Sequence, residues 1–256
     1  MKLQREVAEK LANEAVKPSR QIQIVEYGGL KLLVPLTKST DTEVQRLAAH
    51  ALANLSVNAV NQEIMAREGA IDMLIGLIGS SSELIQRQSA KALANLGVNS
   101  ENKRKIALAG GIPKLIALAQ SPLLSIKIEA IAALANLAVN DANELDIVEC
   151  GGLVPIVDMA TMVARHFNLG GRGADSKGNS GSGGTPEQYE ELGAQCARAL
   201  RNLSVHPSNK DQVVKHGAAD SLALLVTSNN DRVSQQARRA LKNIEGVINE
   251  NKDAKK

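Results

Sequence analysis

The chain has 256 residues, 44% of them hydrophobic but only 1% aromatic, with no Trp and one Phe. An aliphatic, alanine-rich core of this kind suits thin layers of closely packed helices and gives little material for an aromatic-lined active site. The formal net charge of +3, with no aromatic residues interleaved among the basic ones, gives no footing for nucleic acid.

Two cysteines, Cys150 and Cys196, make neither a disulfide framework nor a metal-ligand cluster. No segment reaches 18 consecutive apolar residues, and the start MKLQREVAEK has neither a signal-peptide core nor a Gly at position 2. These features predict a reduced, cytoplasmic setting. No HExxH, CxxC or Gly-x-Ser-x-Gly motif occurs, and His50, His166, His206 and His216 have no spacing with a nucleophile or carboxylate. The sequence therefore predicts no catalytic residues, no metal ligands and no cofactor.

In chain order, one motif keeps returning. KLANEAV (10–16) is followed by ALANLSVN (51–58), ALANLGVN (92–99), ALANLAVN (133–140), ALRNLSVH (199–206) and ALKNIEGV (240–247). Asn13, Asn54, Asn95 and Asn136 stand 41 residues apart, Asn202 follows 66 later, and Asn243 another 41 on. Gly28, Gly69, Gly110, Gly151 and Gly217 keep the same register, as do Asn61, Asn102, Asn143 and Asn209. Several positions agreeing on one period define a repeat array.

Within a unit, Val44, Ala48, Ala51, Leu52 and Leu55 trace one apolar face of a long helix. Asp41, Ser82 and Asn230 are the predicted N-caps of that helix. Each glycine lies between two shorter apolar segments, where a positive φ would turn the chain sharply. A repeat thus reads as a short helix, a glycine turn, a second helix and a longer third. Pro113 and Pro155 fit the first turn of the second helix, whereas Pro35 is expected to bend it.

The predicted boundaries are 1–17 for a leading third helix, partial repeat or cap, then repeats at 18–58, 59–99, 100–140, 141–206 and 207–247. A charged, fraying tail at 248–256 completes a single domain. The fourth repeat carries 25 extra residues, and seven glycines crowd into 170–184. A flexible insert at about 169–186 is predicted there, with Ser176, Ser180 and Ser182 open to docking or modification. Cys196 shares its slot with Ala48, Ser89 and Ala130, which predicts a buried structural thiol.

An asparagine inside an apolar helix needs a reason, because its amide competes for backbone hydrogen bonds. At about 100° per residue, Asn54 falls at the border of the apolar face, beside Leu47 and His50. Two accounts stay open and are compatible. Either each amide bonds the backbone of a neighbouring repeat, or it is free to pair with the backbone of a guest.

A 41-residue, three-helix unit with a Gly-Gly or Gly-Ala turn and an ALxNL third helix resembles the armadillo repeat over about 1–250. The resemblance implies an all-α, right-handed α-solenoid whose third helices line a concave groove. It further implies that the third-helix asparagines Asn54, Asn95, Asn136, Asn202 and Asn243 hold an extended peptide by its backbone. Armadillo importins for basic signals carry Trp four residues before the asparagine. Here that position reads Glu9, His50, Lys91, Ala132, Arg198 and Arg239, which argues against a nuclear-import-type receptor for basic peptides.

The row turns basic instead. Residues 196–256 hold 11 Lys and Arg against 6 Asp and Glu, while 1–195 hold 19 against 21. The expected site is a groove of His50, Lys91, Arg198, Arg239 and the asparagines, taking a partly acidic protein segment as catenin-like armadillo proteins do. The alternatives are the import receptor and a regulatory subunit of an enzyme complex. A chain of repeats alone is also similar to the armadillo-repeats-only proteins of apicomplexan parasites, which tether rhoptries. That likeness implies peripheral membrane anchoring through an acylated N-terminal segment, a place on the cytosolic face of the organelle, and a myosin motor and a dedicated interacting protein as partners. Fungal vacuolar armadillo adaptors are a further likeness, with more repeats.

Overall fold

The structure is a computed structural model that describes residues 2–168 and 184–253. Among the described residues the regular structure is entirely helical: α1 (Lys2–Ala15), α2 (Pro18–Glu26), α3 (Gly29–Leu36), α4 (Thr42–Leu55), α5 (Ala59–Arg67), α6 (Ala70–Leu77), α7 (Glu83–Leu96), α8 (Ser100–Leu108) and α9 (Gly111–Ala119). The order continues with α10 (Leu124–Leu137), α11 (Asp141–Glu149), α12 (Leu153–Asn168), α13 (Pro186–Leu203), α14 (Pro207–Lys215), α15 (Ala218–Leu225) and α16 (Asp231–Asp253).

The glycine turns supply the sharpest corner of each repeat. Gly28, Gly69, Gly110, Gly151 and Gly217 all adopt φ between 74° and 81°, and among the described residues no other residue type has a positive φ. At Gly69 a side chain would meet open space, so only the left-handed backbone demands glycine there. Pro35 lies in the last turn of α3, which keeps the eight residues of its proline-free counterpart α6. The expected bend coincides with the helix end. The expected caps stand at the expected starts: Asp41 Oδ1 accepts from Glu43 N at 3.0 Å and Asn230 Oδ1 from Arg232 N at 3.0 Å, while Ser82 occupies the position without a side-chain bond.

The chain forms two compact units, residues 1–115 and 116–256. In the first, the third-type helices α1, α4 and α7 pack side by side, and so do the first-type helices α2, α5 and α8. In the second, α10, α13 and α16 form the corresponding row, and α11 packs on α14. Leu52, Leu55, Leu93 and Leu96 are buried in one unit, and Leu134, Leu137, Leu200 and Leu203 in the other. The small residues of the third-type helices, Ala48 and Ser89 in the first unit and Ala130 and Cys196 in the second, are each fully buried, which lets neighbouring helices within a unit approach closely. Burial pushes the Cys196 thiol far above the ordinary thiol range, so it stays protonated and inert. Cys150 is exposed.

Two departures from the sequence reading concern chain ends and the insert. The charged stretch after 247 does not fray at once, because α16 continues through Asp253 on helix-compatible residues. Most of the predicted insert, 169–183, lies outside the described residues, and with it the three serines. Beyond it, Thr185 and Gln188 close a capping box that starts α13 at Pro186, and Tyr189 stacks on His166 of α12 with ring centroids 3.9 Å apart.

The first-type helices are stitched by a buried asparagine row. Asn61 Nδ2 donates to Gln21 O at 3.0 Å and Asn102 Nδ2 to Gln62 O at 3.0 Å. In the second unit Asn209 Nδ2 donates to Glu144 O at 3.2 Å. Each bond crosses one repeat. The preceding asparagines Asn58, Asn99 and Asn140 cap the same helices through their side-chain oxygens, as does the His206 ring nitrogen in α14.

Replacing Asn102 with Ala removes one bond and leaves a small void, an expected cost of about 1–3 kcal/mol. Asn102→Asp at neutral pH is expected to cost more, because an ionised carboxylate can only accept and would face the Gln62 carbonyl. Urea denaturation of the two variants checks that order.

Candidate functional site

The third-type helices α4, α7, α10 and α13 end in a tightened turn. In α4 the amide of Ser56 bonds Leu52 O but that of Val57 bonds Asn54 O, so the Ala53 carbonyl is skipped by the backbone. The same skip leaves Ala135 O in α10 and Arg201 O in α13. The asparagine of the following repeat supplies the missing donor. Asn95 Nδ2 lies 3.4 Å from Ala53 O, Asn202 Nδ2 2.8 Å from Ala135 O, and Asn243 Nδ2 3.1 Å from Arg201 O. In each case the acceptor belongs to the residue just before the previous rung.

Serine reinforces two of these joints. Ser56 Oγ donates to Ala53 O at 2.8 Å and takes a second bond from Asn95 Nδ2 at 3.1 Å. Ser204 Oγ repeats this with Arg201 O at 2.9 Å and Asn243 Nδ2 at 3.2 Å. The stacking account of the asparagines is therefore present in the structure, and it occupies the amide nitrogens. A guest backbone would meet the side-chain oxygen.

In the first unit, α1 offers Glu6, Glu9 and Asn13, all exposed, on the face it shares with α4. His50 and Asn54 do not act separately: Asn54 Nδ2 sits 3.2 Å from His50 Nε2, a bond in which the neutral ring accepts. Burial, then the charges of Arg46 and Lys91, push the His50 pKa below its ordinary value. Lys91 and Asn95 follow at the equivalent positions of α7, both half-buried.

In the second unit, α10 places Ala132 and Asn136 at these positions, both half-buried. Glu191, Gln195, Arg198 and Asn202 share one stripe of α13, spaced i, i+4, i+7 and i+11. Arg232, Gln236, Arg239 and Asn243 form the matching stripe of α16. The stripes touch where Arg232 Nη1 meets Glu191 Oε2 at 2.7 Å and Arg201 Nη1 meets Gln236 Oε1 at 2.8 Å. Arg198 Nη2 donates to Ala132 O at 3.3 Å, while its Nε is buried without a hydrogen-bond partner. Burial, then Arg232, lowers the Arg198 pKa from its usual value, and burial followed by Arg239 does the same to Arg201. Among the described residues Arg198, Arg201, Arg239 and Lys242 make no direct ion pair with a carboxylate, and the charge of Glu191 acts on Arg198 only at longer range.

The turn glycines lie apart from these stripes, between first- and second-type helices, and serve the backbone alone. Arg201 and Gln236 were outside the expected site. The signal for Arg201 was available, since Ala53, Ala94 and Ala135 occupy its place in other repeats. Among the described residues there is no cluster of metal-ligating side chains, and no single helix is long and apolar enough to cross a membrane.

This arrangement defines an all-α repeat protein with a polar face of third-type helices. The sequence pattern of the Armadillo/beta-catenin-like repeat matches residues 18–57, 58–98 and 99–139. An engineered protein of known crystal structure is 32% identical over 94% of this chain and 90% of its own, with a TM-score of 0.79. A designed armadillo repeat protein, 24% identical, covers 94% of this chain and 92% of its own at a TM-score of 0.79. Another, solved in complex with the peptide (KR)4, is 24% identical, with coverage of 93% and 91% and a TM-score of 0.75. The curated proteins contain no match. The chain belongs to the armadillo-repeat family, and its fold is the all-α armadillo solenoid.

His50 gives this face an acid sensitivity. Its folded pKa is depressed, so between that value and the unfolded value of about 6.5 the unfolded chain binds more protons. The stability contribution is complete above about pH 6.5 and is lost as pH falls through the folded value. Stability curves from pH 8 to 5 are expected to fall less steeply for His50→Gln, which keeps an acceptor for Asn54.

Proposed function

We propose that the protein is a non-catalytic scaffold that holds an extended, partly acidic segment of a protein partner across its third-type helices. The single observation that carries this reading is the basic cluster of α13 and α16. Arg198, Arg239 and Lys242 lie beside Asn202 and Asn243 without a direct ion pair to a carboxylate among the described residues. Crowded guanidinium groups that repel one another are relieved by an acidic guest. The side-chain oxygens of Asn95 and Asn243, whose nitrogens serve the stack, offer acceptors for its backbone N–H groups.

A protein of the same fold, the designed armadillo repeat protein, has been solved with the peptide (KR)4. The present chain has basic residues at the positions that decide charge preference in its second unit, so the matching guest carries the opposite sign. Exposed ion pairs contribute under about 1 kcal/mol each, which makes them better at setting register than at supplying affinity. Their effect weakens with salt. The finer reading follows from the armadillo-repeats-only likeness. In it the segment belongs to a myosin motor or a dedicated interacting protein, and the scaffold sits on the cytosolic face of a rhoptry membrane.

Arg239→Gln with Lys242→Gln removes two exposed charges and no bond of the rungs. The pair is expected to weaken a Glu-rich peptide by about fivefold or more while stability moves by under about 0.5 kcal/mol. Fluorescence anisotropy with a Glu-rich and a Lys-rich peptide checks both parts. Saturable binding of the Lys-rich peptide alone would establish the import-type alternative.

A further inference from the structure

Asn202 differs from Asn95 and Asn243 in having both its amide nitrogen and its amide oxygen hydrogen-bonded. Its Nδ2 donates to Ala135 O at 2.8 Å, as the stack requires. Its Oδ1, the atom left for a guest, accepts from Arg201 Nε at 3.1 Å and from Arg201 Nη2 at 2.8 Å. The third arm of the same guanidinium, Nη1, holds Gln236 Oε1 at 2.8 Å and so bridges to α16. Asn95 and Asn243 show no such cover on their oxygens among the described residues: Ala94 precedes one and the exposed Lys242 precedes the other.

We propose that Arg201 is a latch that closes Asn202 to a guest backbone until an acidic side chain of the guest draws the guanidinium away. The proposal rests on the peptide-binding reading given above and names what the guest must carry at this rung. A guanidinium fork matches a carboxylate through two parallel bonds, and here it is spent on neutral amide oxygens. The guanidinium is charged in both states, but a carboxylate adds the attraction of an opposite charge that a neutral amide oxygen lacks, so exchange onto a carboxylate favours the open state. Arg198 and Arg239 add to the pull, since each repels Arg201 or is repelled by it and neither makes a direct ion pair with a carboxylate among the described residues. Opening frees Asn202 Oδ1 to accept a backbone N–H two bonds away from the acidic side chain that opened it. One residue of the guest thereby reports its charge before its backbone is admitted.

The latch predicts opposite responses to one substitution. Two labelled peptides of equal length, one alternating Glu and Ala and the other alternating Gln and Ala, are titrated against the intact chain and against Arg201→Ala. The Gln peptide is expected to bind Arg201→Ala about fivefold tighter than the unmodified chain, the worth of one neutral hydrogen bond. The Glu peptide is expected to bind the variant more weakly than the unmodified chain, so its preference over the Gln peptide shrinks at least about tenfold. Equal binding of the Gln peptide to both proteins, with the Glu peptide still captured, overturns the latch and leaves the scaffold reading standing. Failure of both peptides on both proteins overturns the scaffold reading and the latch with it. Arg201→Gln, which keeps a neutral donor beside Asn202 Oδ1, repeats the measurement if the Ala variant melts early, and it is expected to reclose the rung to the Gln peptide.

Discussion

A carbonyl skipped at the end of the third-type helices α4, α10 and α13, and the asparagine that reaches across to it, set the rest of the structure. The tightened last turn spends its amides on i−3 and i−4 partners and leaves Ala53 O, Ala135 O or Arg201 O unmatched by backbone. A buried carbonyl without a donor is costly: Asn202 of the following helix supplies one to Ala135 O, while at Ala53 O and Arg201 O the asparagine joins a serine hydroxyl that already donates there. Asparagine is short enough to do so from the edge of the apolar face without leaving the helix. That contact ties α7 to α4 in the first unit and α13 to α10 and α16 to α13 in the second, whereas Asn54 of α4 turns its amide nitrogen to His50 instead. The buried row at Asn61, Asn102 and Asn209 does the equivalent work for the first-type helices, donating across one repeat to Gln21, Gln62 and Glu144.

Spacing made most of this legible. The 41-residue return of glycine and asparagine located the positive-φ turns and the third-type helices, because backbone handedness and helical periodicity leave marks on residue type. Cys196 was readable as buried from the small residues that share its slot. Side-chain partners left weaker marks. Periodicity placed Asn54 and His50 on one border but did not reveal that they bond each other. It offered two uses for the rung amide and could not separate them, since a nitrogen and an oxygen project from the same carbon. The Asn in ALANLSVN drew notice, whereas the second one, Asn58, proved to be the cap of the next helix. That role was encoded by its place just before a new apolar run.

Charge follows a different logic from register. The stack needs only the rung itself, so the residue four before it is released from packing and reads Glu9, His50, Lys91, Ala132, Arg198 and Arg239. The residue one before is a buried alanine in the earlier repeats and becomes Arg201 and Lys242 in the last two. Both variable positions flank a fixed amide. In the second unit they gather guanidinium groups at half-buried sites where burial and mutual repulsion both disfavour the charge. Such a cluster is a poor contribution to stability and a good one to recognition, because an acidic partner removes the repulsion that folding left in place.

The asparagine row thus separates affinity from selectivity in a physical sense. Removing a rung breaks the joint between helices, so its loss cannot be confined to binding: Asn243, for instance, holds both Arg201 O and Ser204 Oγ. The flanking positions carry no such duty. Arg239 and Lys242 are exposed and can change sign without disturbing the joint beside them. Arg201 is the intermediate case, since its backbone carbonyl receives the next rung while its side chain covers the previous one. Substituting that side chain leaves the carbonyl in place. A face built this way can alter which guest it admits beside Asn95, Asn202 and Asn243 while those rungs keep the bonds that hold their helices together.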